Sequence, residues 1–93
     1  QKGVRAGYLL DVSKAGSYQM IFKMHSGENP FAQLPVSIFV NGVLQQTTTF
    51  NGTDNKIIER AVTISLPESG ENQLTLFFGE SGVRMDEILL VQE

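Results

Sequence analysis

From Tyr18 to His25 the residues alternate, with Tyr18, Met20, Phe22 and Met24 interleaved with Gln19, Ile21, Lys23 and His25. A period of two puts successive side chains on opposite faces of an extended chain, whereas a helix needs a period of about 3.6, so this segment predicts a strand with one buried face. The same alternation runs through Val36, Ile38 and Val40, through Val62, Ile64 and Leu66, and through Leu74, Leu76 and Phe78. Turn residues stand beside each run. The pattern predicts seven strands, at about 4–12, 17–25, 34–40, 43–50, 56–66, 72–78 and 83–92, with no window for a helix of useful length. The expected fold is all-β, an antiparallel two-sheet sandwich. Its expected core is Tyr18, Met20, Phe22, Ile38, Val40, Val62, Ile64, Leu74, Leu76 and Phe78.

The connections differ in kind. Ser13-Lys14-Ala15-Gly16, Asn41-Gly42 and Pro67-Glu68-Ser69-Gly70-Glu71 are tight-turn sequences, and Asn-Gly suits a type I′ hairpin because both central residues need positive φ. If consecutive strands run antiparallel, these three turns share one end of the sandwich. The opposite end then receives the more polar segments 26–33, 51–55 and 79–82. A rigid scaffold with varied loops gathered at one tip is the layout of a binding domain.

A chain of 93 residues, 41% of them apolar, is enough for a single domain spanning 1–93. A net charge of -3, with its seven basic residues dispersed, carries no footprint for nucleic acid or an anionic membrane. No apolar run approaches the roughly 20 residues of a bilayer span, and no segment has the order of a signal peptide. The start at Gln1 leads to the expectation that an upstream segment was removed or that the piece was excised from a longer chain. With no cysteine there is no disulfide framework.

Catalytic readings find few groups to use. His25 is the only histidine, there is no Gly-x-Ser-x-Gly turn, and the neighbours Asp86 and Glu87 should point to opposite faces of a strand rather than flank one bond. The candidate ligand contacts are therefore those of a binding tip: Tyr8 and Phe31 as rings, Asn29 and Asn55 as amides, and Arg84 as a charged donor. Phe31 follows Pro30 inside a polar loop, where it either plugs the core or stands exposed as a stacking platform. Arg84 either pairs with Glu80 or Glu87 or meets a ligand. His25 reads as a solvated residue of a polar face or as a further ligand contact at the tip. Asn51-Gly52-Thr53 matches a glycosylation sequon and equally a polar turn. Phe77, Leu89 and Val91 are apolar where alternation predicts polar, so that face is expected to be covered by another strand or domain.

The order GYLLDVSKAGSYQMIFKM, PVSIFVNGV, AVTISLPESGENQLTLFF, GVRMDEILLV resembles the β-sandwich carbohydrate-binding modules of families 6 and 35, from about Gly7 to Val91. The most specific parts are Ala15-Gly16-Ser17-Tyr18 leading into a strand, the Asn41-Gly42 hairpin, and Met85-Asp86 before an apolar strand. The resemblance implies a sandwich of the jelly-roll type that serves as a noncatalytic module of a larger extracellular or periplasmic glycan-active enzyme, with a poly- or oligosaccharide and the parent's catalytic domain as partners. The alternative is an accessory β-sandwich of a glycoside hydrolase that binds no glycan. Asp86 takes the family's C-terminal position for a structural calcium, whose acidic partners in the family lie on an N-terminal strand that here is missing or lies outside the chain; no other cofactor is implied. Arg84 stands where the family commonly has a sugar-binding Asn, and Asn55, Lys56 and Ile57 stand where it often has an aromatic platform.

Overall fold

A computed structural model describes residues 4–80 and 82–92. Each alternating segment is a strand: β1 (Val4–Val12), β2 (Gly16–His25), β3 (Gln33–Val40), β4 (Val43–Asn51), β5 (Ile58–Leu66), β6 (Gly70–Phe78) and β7 (Arg84–Gln92). They form two antiparallel sheets, one ordered β1-β6-β3-β4 and the other β5-β2-β7. Strand β5 begins two residues later than the pattern suggested, because Asp54 and Asn55 adopt left-handed backbone (φ 52° and 68°) and hold the chain in a turn.

The alternation places the core as expected. Tyr18, Met20, Phe22 and Met24 of β2 are buried against Val36, Ile38 and Val40 of β3 and Leu74 and Leu76 of β6, and Ile64 and Leu66 join from β5. Val62 and Phe78, expected in the core, are only half-buried and pack against it, Val62 on an outermost strand and Phe78 at the end of its strand. Phe50 is fully buried although it closes the polar run LQQTTTF, and its ring meets Phe22 edge-on with centroids 6.0 Å apart.

The expectation of one covered face over Phe77, Leu89 and Val91 does not hold. Phe77 lies on the outer surface of the four-stranded sheet, opposite Arg5 and Ser37, with the Arg5 guanidinium 5.2 Å above its ring. Leu89 and Val91 stand opposite Ile21 and Gln19 on the outer surface of the other sheet, both exposed. One strand cannot cover both surfaces of a sandwich.

The two ends are built differently. At the tight-turn end, Asn41 and Gly42 have the positive φ of the expected hairpin, and buried Asn72 ties the turns together by accepting from the Asn41 side chain and donating to the Glu68 carbonyl. At the other end, segments 26–32 and 52–57 meet, and Gly82 lies against the Glu28 side chain.

Candidate functional site

The converging loops are held by a buried polar knot. The Ser26 amide donates to Thr53 Oγ1 (2.9 Å), and that hydroxyl donates to the Ser26 carbonyl (3.0 Å). Both residues are buried, so each bond satisfies a group that has no water to turn to. Backbone bonds extend the zipper: Asn55 N–H to the Ser26 carbonyl, Asp54 N–H to that of Glu28, and Gly52 N–H to that of Ala32. The two loops approach so closely that a Cβ on Gly52 would lie 2.0 Å from the Asn29 carbonyl oxygen and 2.5 Å from that of Glu28. Only glycine fits there. The Asn51-Gly52-Thr53 triplet thus has a structural use, with Gly52 at the crossing and Thr53 in the knot.

This scaffold carries Asn29, Phe31 and Asn55 on its two crossing loops. The Asn29 side-chain oxygen accepts from the Phe31 amide at 2.9 Å, an Asx turn that fixes the loop behind the ring. Phe31 itself is 92% exposed, so it stands in solvent rather than plugging the core. Ile57, from the neighbouring loop, is also exposed. Tyr8 is not part of this group: it faces Leu74 in the middle of β1, at the mouth of a cleft between β1 and β7.

Arg84 opens β7 directly opposite His25, the residue before Ser26, which puts it on the same tip. It is exposed and has no ion-pair partner among the described residues. Glu87, one of its expected partners, instead lies 3.5 Å from the Lys23 ammonium. His25 is not simply solvated, since its Nδ1 and Asp86 Oδ2 are 2.7 Å apart.

That contact arises from a β-bulge. Lys23 pairs with Glu87 but Met24 pairs with Met85, leaving Asp86 as the extra residue. Strict alternation would send Asp86 and Glu87 to opposite faces. With the bulge, Asp86 reaches His25 and Glu87 reaches Lys23, two residues on the same face of β2. Each carboxylate is engaged by its own partner. As for calcium, the ion takes six to eight oxygen ligands. Asp86 meets a ring nitrogen here, and among the described residues no three acidic, histidine or cysteine side chains gather to hold a metal. These residues do not by themselves compose a calcium site.

Signals for Phe31, Asn29 and Asn55 were present in the sequence as polar loops with an out-of-place ring. The Ser26–Thr53 knot had none beyond two small polar residues, because their partnership spans 27 positions.

The geometry defines a class: an antiparallel β-sandwich whose loops, knotted at one tip, present an exposed ring, amides and an exposed guanidinium. Within that class, the chain has the fold of the family 35 carbohydrate-binding modules. It superposes with a TM-score of 0.86 on such a module from an environmental isolate, at 20% identity, over 99% of this chain and 68% of that one. A family 35 module solved in complex with a glucuronic acid-containing disaccharide gives a TM-score of 0.82 at 18% identity, over 98% of this chain and 68% of that one. In sequence, a β-glucosidase of Ruminococcus albus is 32% identical over 89 residues, which is 96% of this chain but 9% of the enzyme. The chain therefore spans about a tenth of that relative's length. No family model matches the sequence.

Proposed function

We propose that the chain is a noncatalytic carbohydrate-binding module of a larger extracellular or periplasmic glycan-active enzyme, gripping a poly- or oligosaccharide at the knotted tip. The observation that carries this reading is Phe31. A ring 92% exposed on a loop pinned by an Asx turn and the Ser26–Thr53 knot buries little apolar area within the domain and so has little part in the core. It suits the apolar face of a sugar ring, while the amides of Asn29 and Asn55 suit its hydroxyls. Arg84 can donate to a hydroxyl or clamp a carboxylate with two parallel bonds. The uronic-acid disaccharide bound by a module of the same fold supports an acidic sugar as one ligand class. The β-glucosidase relative, most of whose length lies outside the matching segment, supports a catalytic domain as the partner in the same polypeptide.

A second reading, an accessory domain that packs on an enzyme and binds no glycan, is favoured by the exposed Leu89 and Val91 beside Ile21 on one outer face.

Calorimetry against neutral and acidic oligosaccharides, with and without calcium, separates the two. A shallow site with one ring should give a Kd on the order of 10 μM to 1 mM, or roughly -7 to -4 kcal/mol. Phe31→Ala should abolish the heat. Arg84→Ala should weaken acidic ligands more than neutral ones, an advantage that fades as salt rises. No heat with any sugar, in either condition, leaves the accessory reading.

A further inference from the structure

Asparagine is followed by glycine twice in the chain, at Asn41-Gly42 in the hairpin between β3 and β4 and at Asn51-Gly52 where β4 ends. In such a pair the backbone nitrogen can attack the preceding side-chain amide with little hindrance, because glycine places no side chain beside that nitrogen. The fold treats the two pairs in opposite ways. Gly52 is buried, its N–H donates to the Ala32 carbonyl at 3.2 Å, and the Asn51 amide donates to the same oxygen at 3.4 Å. The attacking and the leaving nitrogen are thus tied to one acceptor. Asn41 and Gly42 are exposed, a Cβ on Gly42 would meet nothing within 4 Å, and the Gly42 N–H has no acceptor among the described residues. Only the Asn41 side chain is held. Its Nδ2 donates to Asn72 Oδ1 at 3.0 Å, and its Oδ1 accepts from the Gln73 N–H at 2.8 Å.

We propose that Asn41 is a deamidation site of the folded protein, gated by its hydrogen bond to Asn72, and that Asn51 reacts only when the chain unfolds. In the first step the Gly42 nitrogen gives up its proton and bonds to Asn41 Cγ, the Cγ–Nδ2 bond breaks, and ammonia leaves with that proton. Water then opens the cyclic imide at either carbonyl, to aspartate or to isoaspartate. The gate is Asn72, because Cγ turns onto the Gly42 nitrogen only after Nδ2 lets go of Asn72 Oδ1. The remaining asparagines lack the opening. Asn29 precedes a proline, which has no N–H, and Asn55 and Asn72 precede Lys56 and Gln73, whose side chains crowd the nitrogen. The product acts on the tight-turn end. Aspartate at position 41 has no proton to give Asn72, a residue 1% exposed whose own amide stays on the Glu68 carbonyl, so a buried oxygen loses a donor and faces a charge. Isoaspartate adds a methylene to the backbone of a two-residue hairpin, whose pairing depends on that length. The Ser26–Thr53 knot stands at the opposite end, so the reaction is independent of glycan binding.

Peptide mapping by mass spectrometry tests it, after the 93-residue chain has stood at mildly alkaline pH in a series of urea concentrations below its unfolding transition. Asn41 should convert without urea, to both aspartate and isoaspartate, at a rate that stays flat along the series. Conversion of Asn51 should be slower and should rise with urea as global opening does. Asn72→Ala should speed Asn41 by roughly 3- to 10-fold, the factor set by one neutral hydrogen bond, and leave Asn51 as it was. Rates at Asn41 and Asn51 that rise together with urea overturn the proposal, since both sites then react from the unfolded chain. So does conversion of Asn51 ahead of Asn41 without urea, or an Asn41 rate that Asn72→Ala leaves unchanged. An Asn72→Ala protein that fails to stay folded speeds both sites, and the urea series on the unaltered chain then decides alone.

Discussion

The two sides of the sandwich end in opposite ways. On one side β4 and β5 are laced together: the Gln45 amide both donates to the Ser65 carbonyl and accepts from the Ser65 N–H, Gln46 donates to the Thr63 carbonyl at 2.9 Å, and Arg60 donates to the Thr49 carbonyl at 2.7 Å. A bulge between Ile38 and Phe39 makes Gln45 the extra residue of β4, which lets two successive glutamines reach the same neighbouring sheet. On the other side, no side-chain hydrogen bond among the described residues joins β1 to β7, and the core is open to a cleft. The sequence polarity runs the other way. The sealed edge is the polar strand VLQQTTTFN and the open edge the more apolar VRAGYLLDV. Apolar composition shows what a strand can bury, and only a neighbour on the far side decides what it does bury.

The sharpest way to break this comparison is to truncate one ring on each side. Phe50→Ala, on the laced side, should cost about 3–5 kcal/mol because the ring is fully enclosed against Phe22. Tyr8→Ala, on the open side, should cost about 1 kcal/mol or less. Urea unfolding of the two variants reads the difference, and equal losses would show that the two edges are closed alike.

The tip should be the next most sensitive place. Gly52→Ala forces a Cβ into the backbone of 28 and 29, which cannot yield as a side-chain end could, and should cost about 1–3 kcal/mol. Thr53→Val leaves the buried Ser26 amide without its acceptor and falls in the same range of about 1–3 kcal/mol, with Thr53→Ser restoring most of it. Thermal melts of the three variants check the order; a stable Gly52→Ala protein would mean the loops do not cross as described.

A smaller effect sharpens the account of the laced edge. Gln45→Ala removes two bonds to one backbone unit near solvent and should cost about 0.5–1.5 kcal/mol. Faster exchange of the Ser65 amide would be its local signature. Smallest of all, Lys23→Ala removes ammonium contacts to Glu59 (3.9 Å) and Glu87 (3.5 Å) on the outer face of the three-stranded sheet. Exposed pairs of this kind are worth about 0–1 kcal/mol, so denaturant midpoints should barely move.

Strand positions, the hairpin at Asn41-Gly42 and most of the core were legible in the sequence, because a period of two and a turn that needs positive φ are local properties. The gathering of 26–33, 51–55 and 79–82 at one tip was legible too, since alternating strand direction preserves it. Phe50 was hidden by the polar run before it, whose glutamines and Arg60 are spent on lacing two edges rather than on solvent. Asp86 was misdirected by the alternation rule, because a bulge depends on the partner strand and not on the residue itself. The exposure of Phe31 and the position of Tyr8 were likewise set by contacts far apart in the chain. The sequence by itself determined which residues alternate and where the chain turns. Which side of the sandwich closes, which ring faces solvent, and which loops knot together were decided by the tertiary structure, because each depends on what stands opposite a side chain, and that neighbour is usually tens of residues away.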